Sequence, residues 1–236
     1  MTNNKPSVIL PQSQRLIIDT SAFSPPGYLN KRWRNQSPNQ THCEAEWVYW
    51  LNETLRDQRN WSVTCGVRKE IEAGNSKLDR LVGEHECSHN KAHALKRLKI
   101  ERSRTHEMIL DGRVICDSAD QTHIGRAWGV YSSTMDNFLK HGGHERKAET
   151  DVFLVSMAIS YALDEAVYLF SQDVPLLAAY AFTASRIRPR LKKTIIIDEN
   201  LGDAIHTEKW LRRKDLRHAG SYTHHPKSRK SSRVYS

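Results

Sequence analysis

Between residues 149 and 198 the sequence alternates in a way that few architectures accept. Glu149-Thr150-Asp151 opens a run with apolar side chains at Val152, Leu154, Val155, Ala158, Ile159 and Ala162, the spacing of a buried helix. Ala166-Val167-Tyr168-Leu169-Phe170 then reads as a strand that ends in Ser171-Gln172-Asp173. Residues 175–186 follow as an Ala- and Leu-rich helix, and Thr194-Ile195-Ile196-Ile197 as a last strand before Asp198. Strands alternating with helices call for a parallel sheet with the helices packed on it.

The same grammar appears near the other end of the chain. Arg15-Leu16-Ile17-Ile18 is an apolar, β-branched run that stops at Asp19-Thr20-Ser21-Ala22-Phe23 and soon reaches Pro25, Pro26 and Gly27. An unbroken apolar run suits a strand buried on both faces, so Asp19 falls at its carboxyl end. That edge is where open α/β sheets bind ligands. A single acid there is equally at home as the N-cap of the next element. It gains functional meaning only when other acids reach the same edge.

Between these landmarks the signals are coarser. Residues 42–58 carry Trp47, Trp50, Leu51, Thr54 and Leu55 at helical spacing, and Trp61 to Val67 is a short β-rich run. Arg68 to Ala73 reads as a helix start that ends at Gly74, presenting Glu70 and Glu72. From Ser76 to Glu107 the chain is polar and helical with a sparse apolar stripe, the pattern of a projecting hairpin with a break at Gly83. Residues 113–116 read as a third strand, and Ser132 to Lys140 as a helix capped by His141-Gly142-Gly143. The expected fold is a three-layer α/β/α sandwich on a central, mainly parallel sheet of about five strands, plus a charged helical insertion. Its parts are a flexible stretch at 1–14, a domain at 15–200 with the insertion at 76–145, and a basic tail at 201–236.

Composition narrows the partners. With 36 Lys and Arg against 27 Asp and Glu, the formal charge is +9, which favours anionic partners such as nucleic acid. Cys43, Cys65, Cys87 and Cys116 form no CxxC pair, and no secretory apolar core follows Met1, so reduced thiols in a cytoplasmic protein are expected. The most apolar segment, 152–163, is too short to span a bilayer and is flanked by acids. No membrane role is expected.

Four acids occupy related places: Asp19 after the first strand, Glu70 in the helix after the second, Asp151 beside a helix start, and Asp173 after the 166–170 strand. Carboxylates brought together repel one another unless cations lie between them, and hard oxygen ligands suit Mg²⁺ or Mn²⁺. Such ions polarise a phosphodiester and lower the pKa of a bound water. No Walker loop or Ser/His/Asp spacing competes for the chemistry. His85, Cys87, His89 and His93 invite a zinc reading, three histidines recurring every four residues, although a polar helix carries such residues on its solvated side as well.

In order and placement these segments resemble the PIN-domain nucleases: the strand into Asp19-Thr20-Ser21, Val67-Arg68-Lys69-Glu70-Ile71, Glu149-Thr150-Asp151 before an aliphatic helix, and Ser171-Gln172-Asp173 after a strand. The resemblance spans residues 15–198 with the middle unmatched. It implies a metal-dependent endoribonuclease, with Asp19, Glu70, Asp151 and Asp173 as ligands of Mg²⁺ or Mn²⁺ and Thr20, Ser171 and Glu149 in support. RNA is the implied substrate, with Lys31, Arg32, Trp33 and Arg34 as a charged, stacking contact and the tail as a backbone-binding arm. A protein inhibitor of the antitoxin kind and self-association are further partners that the family implies, and RNA maturation is the alternative role. Many members carry another acid two residues beyond the last one, where this chain has Pro175. The alternative is therefore a catalytically silent PIN-like module that binds RNA or protein. A haloacid-dehalogenase-like phosphatase is disfavoured, because Ser21 stands where a second Asp is needed.

Overall fold

The computed structural model describes residues 15–25, 33–83, 88–115, 117–187, 193–198 and 203–206. Its sheet has the order β2-β1-β3-β4-β5, formed by β1 (Arg15–Ile18), β2 (Trp61–Ser62), β3 (Ala166–Ser171), β4 (Lys193–Asp198) and β5 (Asp203–His206). Leu16, Ile17 and Ile18 are fully buried, as their β-branched, uninterrupted pattern requires. β1 lies parallel to β3 with Ile17 opposite Leu169 and Ile18 opposite Phe170, and β4 continues the sheet in parallel with Phe170 opposite Ile197. The Asp19 amide donates to the Phe170 carbonyl (3.0 Å), which carries the β1 register past the end of the strand.

Helices make up most of the described residues: α1 (Pro38–Arg56), α2 (Cys65–Gly83), α3 (His89–Leu110), α4 (Asp117–Lys140), α5 (Glu145–Ala162) and α6 (Val174–Ile187). α1 starts with a complete capping box. Ser37 Oγ accepts from the Gln40 amide, Gln40 Oε1 accepts from the Ser37 amide, and Pro38 takes the first helical position. α3 packs along α1 and α2, while α4 packs on α5 and α6. α4 stops in a Schellman turn. Gly142 takes a φ of 92°, and the Gly143 amide donates to the Phe138 carbonyl (2.9 Å). Any Cβ at Gly143 would lie 2.2 Å from the Phe138 ring, so this corner accepts only glycine.

One large apolar core joins the sheet to α4, α5 and α6, and a smaller cluster of Ala45, Val48, Leu78, Leu95 and Leu98 lies between α1, α2 and α3. Beside that smaller cluster sits a buried polar assembly. Glu44 accepts from Trp33 Nε1 (2.9 Å), Gln36 Nε2 (2.7 Å) and Ser24 Oγ (3.4 Å). Lys91 Nζ donates to the Trp33 and Gln36 carbonyls and to Thr41 Oγ1, each at 2.7 Å. Arg102 stacks over the Trp33 ring; burial pulls its pKa down, and the Glu44 carboxylate works against that fall.

This architecture corrects the expected three-layer sandwich on a five-strand central sheet. Six helices of 14 to 24 residues dominate, and the sheet is small. Its parallel body is β1, β3 and β4; β2 contributes two residues, and β5 runs antiparallel. The expected strand at 113–116 reduces to a single bridge from Val114 to Val63, because the chain there leaves α3 through a turn. α2 runs straight through Gly74 instead of stopping. A Cβ at that position would meet Arg102 at 3.0 Å and Trp33 at 3.6 Å, so tertiary packing outweighs the glycine's poor helix propensity. The charged middle does break at Gly83, where α2 ends, but its helices do not project: α3 buries Ala94, Leu95, Leu98 and Ile109 against α1 and α2.

Candidate functional site

Where β1 ends, the chain turns at once. Asp19 is the N-cap of a 3-10 turn, Thr20–Phe23, and its carboxylate accepts from the Ser21 amide (3.3 Å). Asp19 is nearly inaccessible, and all the donors to it come from groups near strand ends. Ser21 Oγ donates to Oδ2, as does Ser171 Oγ at the end of β3 (2.8 Å). The Asp173 amide in turn donates to Ser171 Oγ (3.0 Å). Two hydroxyls and an amide on one carboxylate oxygen fix its orientation.

The other acids come in from separate elements. Glu70 lies in the second turn of α2, and Thr20 Oγ1 donates to its Oε2 (2.5 Å). Asp151 is buried in the second turn of α5, not in the first as expected, because that helix already starts at Glu145 behind a His144 that makes no side-chain cap. Asp173 is the residue before α6, and its Oδ1 accepts from the Leu176 amide (3.2 Å), an N-cap bond. α2 and α5 meet closely beside these acids, since a Cβ on Gly66 would stand 2.7 Å from Thr150 Oγ1.

Asp19, Glu70, Asp151 and Asp173 line one cavity of about 450 Å³ together with Thr20, Ser21, Ser24, Gln172, Val174 and Pro175. Four carboxyl groups and no base are among these lining residues. Ser171 stands directly behind Asp19. Glu149 is exposed and outside the lining; with burial, it raises the Tyr131 pKa. Glu72, the neighbour of Glu70, turns toward α3 and meets His106 Nε2 (3.2 Å).

The residues expected to bind RNA divide. Lys31 and Arg32 lie outside the described residues, Arg34 is exposed, and Trp33 packs against the α1–α3 cluster with its indole N–H on Glu44. His85 and Cys87 also lie outside the described residues, while His89 opens α3 and the exposed His93 faces the His42 ring (5.7 Å). Sequence reasoning missed Gln172 and Ser24. Gln172 is buried; its amide donates to Ser21 Oγ (2.9 Å) and its side chain donates to the Ser21 and Ser24 carbonyls. Its place between Ser171 and Asp173 was the available signal.

Among the described residues, no three His, Cys, Asp or Glu side chains are grouped closely enough to hold a metal ion. The donor set nevertheless suits Mg²⁺ or Mn²⁺ in kind, being oxygen throughout. Also among the described residues, no helix is long and apolar enough to cross a membrane. No family model matches this chain, and no curated protein or solved structure matches it.

Proposed function

We propose that the chain is a PIN-like, metal-dependent endoribonuclease acting in the cytoplasm. The observation that supports this most is the convergence of four acids, from four separate elements, on one cavity with no base among its described lining residues. Asp19, Glu70, Asp151 and Asp173 would hold Mg²⁺ or Mn²⁺. When bound, such a cation supplies a water nucleophile at neutral pH and offsets charge on the phosphate. The chain's own contribution is orientation. Ser21 and Ser171 hold the Asp19 carboxylate in place, and Thr20 holds Glu70. Without a counter-charge, this cavity would repel a phosphodiester.

A silent binding module is the second reading. Two observations favour it: Pro175 lines the cavity, and Asp19 and Asp173 already serve as caps. Cleavage of labelled single-stranded and structured RNA with Mg²⁺ or Mn²⁺, wild type beside Asp19→Asn and Asp151→Asn, separates the two. The nuclease reading expects metal-dependent cleavage that falls on the order of a hundredfold or more in each variant. Binding without cleavage by the wild type overturns it.

A further inference from the structure

We propose that the solvent face of α2 is the track along which a single-stranded RNA backbone reaches the acidic cavity, with Lys69, Lys77 and Arg80 contacting its phosphates. The identity of the polyanion rests on the nuclease reading; the path rests on the helix.

At 100° per residue, Lys69, Ala73, Ser76, Lys77 and Arg80 fall within an arc of about 100° on α2. All five are exposed. The stripe starts beside Glu70, which lines the cavity, and runs away from it. From Lys69 to Arg80 the rise is about 16 Å, the length of several nucleotides at about 3.4 Å each in a stacked strand.

The distribution of acids on the same helix makes this face positive. Glu72 and Asp79 lie on the flank toward α3, where they are already answered. Glu72 pairs with Arg68 and His106, and Asp79 pairs with Lys99 (2.8 Å). Lys69, Lys77 and Arg80 form no ion pair with a described residue. Their charge is therefore directed outward.

The surface between them is low, built of Ala73 and Ser76. It presents no large apolar side chain, so it offers little to an amphipathic helix or a lipid bilayer. A flexible polyanion is the partner that fits. The close packing of Gly66 on Thr150 joins this helix to the α5 wall of the cavity, which fixes where the track ends.

The test is fluorescence anisotropy with the full chain, a labelled single-stranded RNA and Ca²⁺ in place of Mg²⁺ or Mn²⁺, which supplies the counter-charge while slowing cleavage, with the RNA checked on a gel for integrity after each titration. The triple variant Lys69→Gln/Lys77→Gln/Arg80→Gln is compared with a control of equal charge loss, Lys96→Gln/Arg97→Gln/Lys140→Gln. The track predicts binding weakened on the order of tenfold near 0.1 M salt, and a log–log salt slope shallower by about 2. The control should change affinity less than twofold, with the circular dichroism of both variants unchanged. Equal losses in the two variants, wild-type affinity in the first, or no RNA binding by the wild type each overturn the track. The outcomes separate from the nuclease reading. Weakened binding in a protein that never cleaves overturns catalysis alone, and Asp19-dependent cleavage with an unweakened triple variant overturns the track alone.

Discussion

Two buried polar assemblies lie a few residues apart in this fold and are built on opposite plans. Between α1 and α3, Glu44 faces the charge of Arg102, and its oxygens and the protons of Lys91 are spent on partners from the chain itself. At the carboxyl edge of the sheet, Asp19 is as deeply buried but its donors are hydroxyls and amides, and the other acids add charge of the same sign. Ser24 touches both, donating to Glu44 through its hydroxyl while its carbonyl accepts from Gln172. The first assembly is neutralised from within and holds helices together. The second gathers four carboxyl groups, from four separate elements, on one cavity.

The largest effect expected from breaking this contrast is on stability in the first assembly. Lys91→Met strips three buried acceptors of their charged donor, costing about 2–4 kcal/mol. Urea unfolding midpoints measure it, and a cost below about 1 kcal/mol would show the assembly to be loosely held. In the second assembly the sign reverses. Asp19→Asn keeps the cap of the 3-10 turn and relieves repulsion, so Tm should hold or rise by about 2–4 °C while cleavage collapses. A clear fall in Tm would mean that the carboxylate serves the fold.

Gly66→Ala sharpens the comparison further, because it touches the cavity wall without removing an acid. The new Cβ would push against Thr150, displacing Glu70 relative to Asp151; a cost of about 1–3 kcal/mol is expected, with cleavage down on the order of tenfold. Adding Thr150→Ala should restore both, measured by thermal melting and cleavage rate. The smallest effect concerns His141, stacked on Phe182 with centroids 4.4 Å apart. Burial first, and Lys140 second, hold its pKa below the usual histidine value. The unfolded chain therefore binds this proton more readily. The histidine's contribution is complete above about pH 6.5 and declines as pH falls from there to the folded-state pKa. His141→Gln should flatten that part of a stability–pH profile recorded by urea unfolding.

Much of the sheet edge was legible in the residues. Apolar runs that end in acids located β1 and β3 and put Asp19 and Asp173 at their ends, and the aliphatic periodicity located α5 and α6. The extent of the sheet was not legible. Trp61 to Val67 has the composition of a strand but pairs with β1 at only two residues, since α2 begins at Cys65. α3 looked too polar to be a core element, and of α4 only Ser132 to Lys140 was read as helix. α3 carries Lys91 and Arg102 inward on their hydrogen bonds, which no hydrophobic pattern records. Gln172 escaped notice because an amide has no titration to mark it, and Asp151 was misplaced by one helical turn because nothing at His144 announces the start of α5.

The pairing of β1 with β3 also sets a timetable. Ser171 reaches back across 152 positions to Asp19. At a synthesis rate of about 5–20 residues per second, the first acid leaves the ribosome roughly 8–30 s before the last one can join it. Throughout that interval the nascent chain holds the parts of its cavity without the cavity. Whatever chemistry the four acids perform is thus withheld from a partly made chain, and from any fragment that ends before β3.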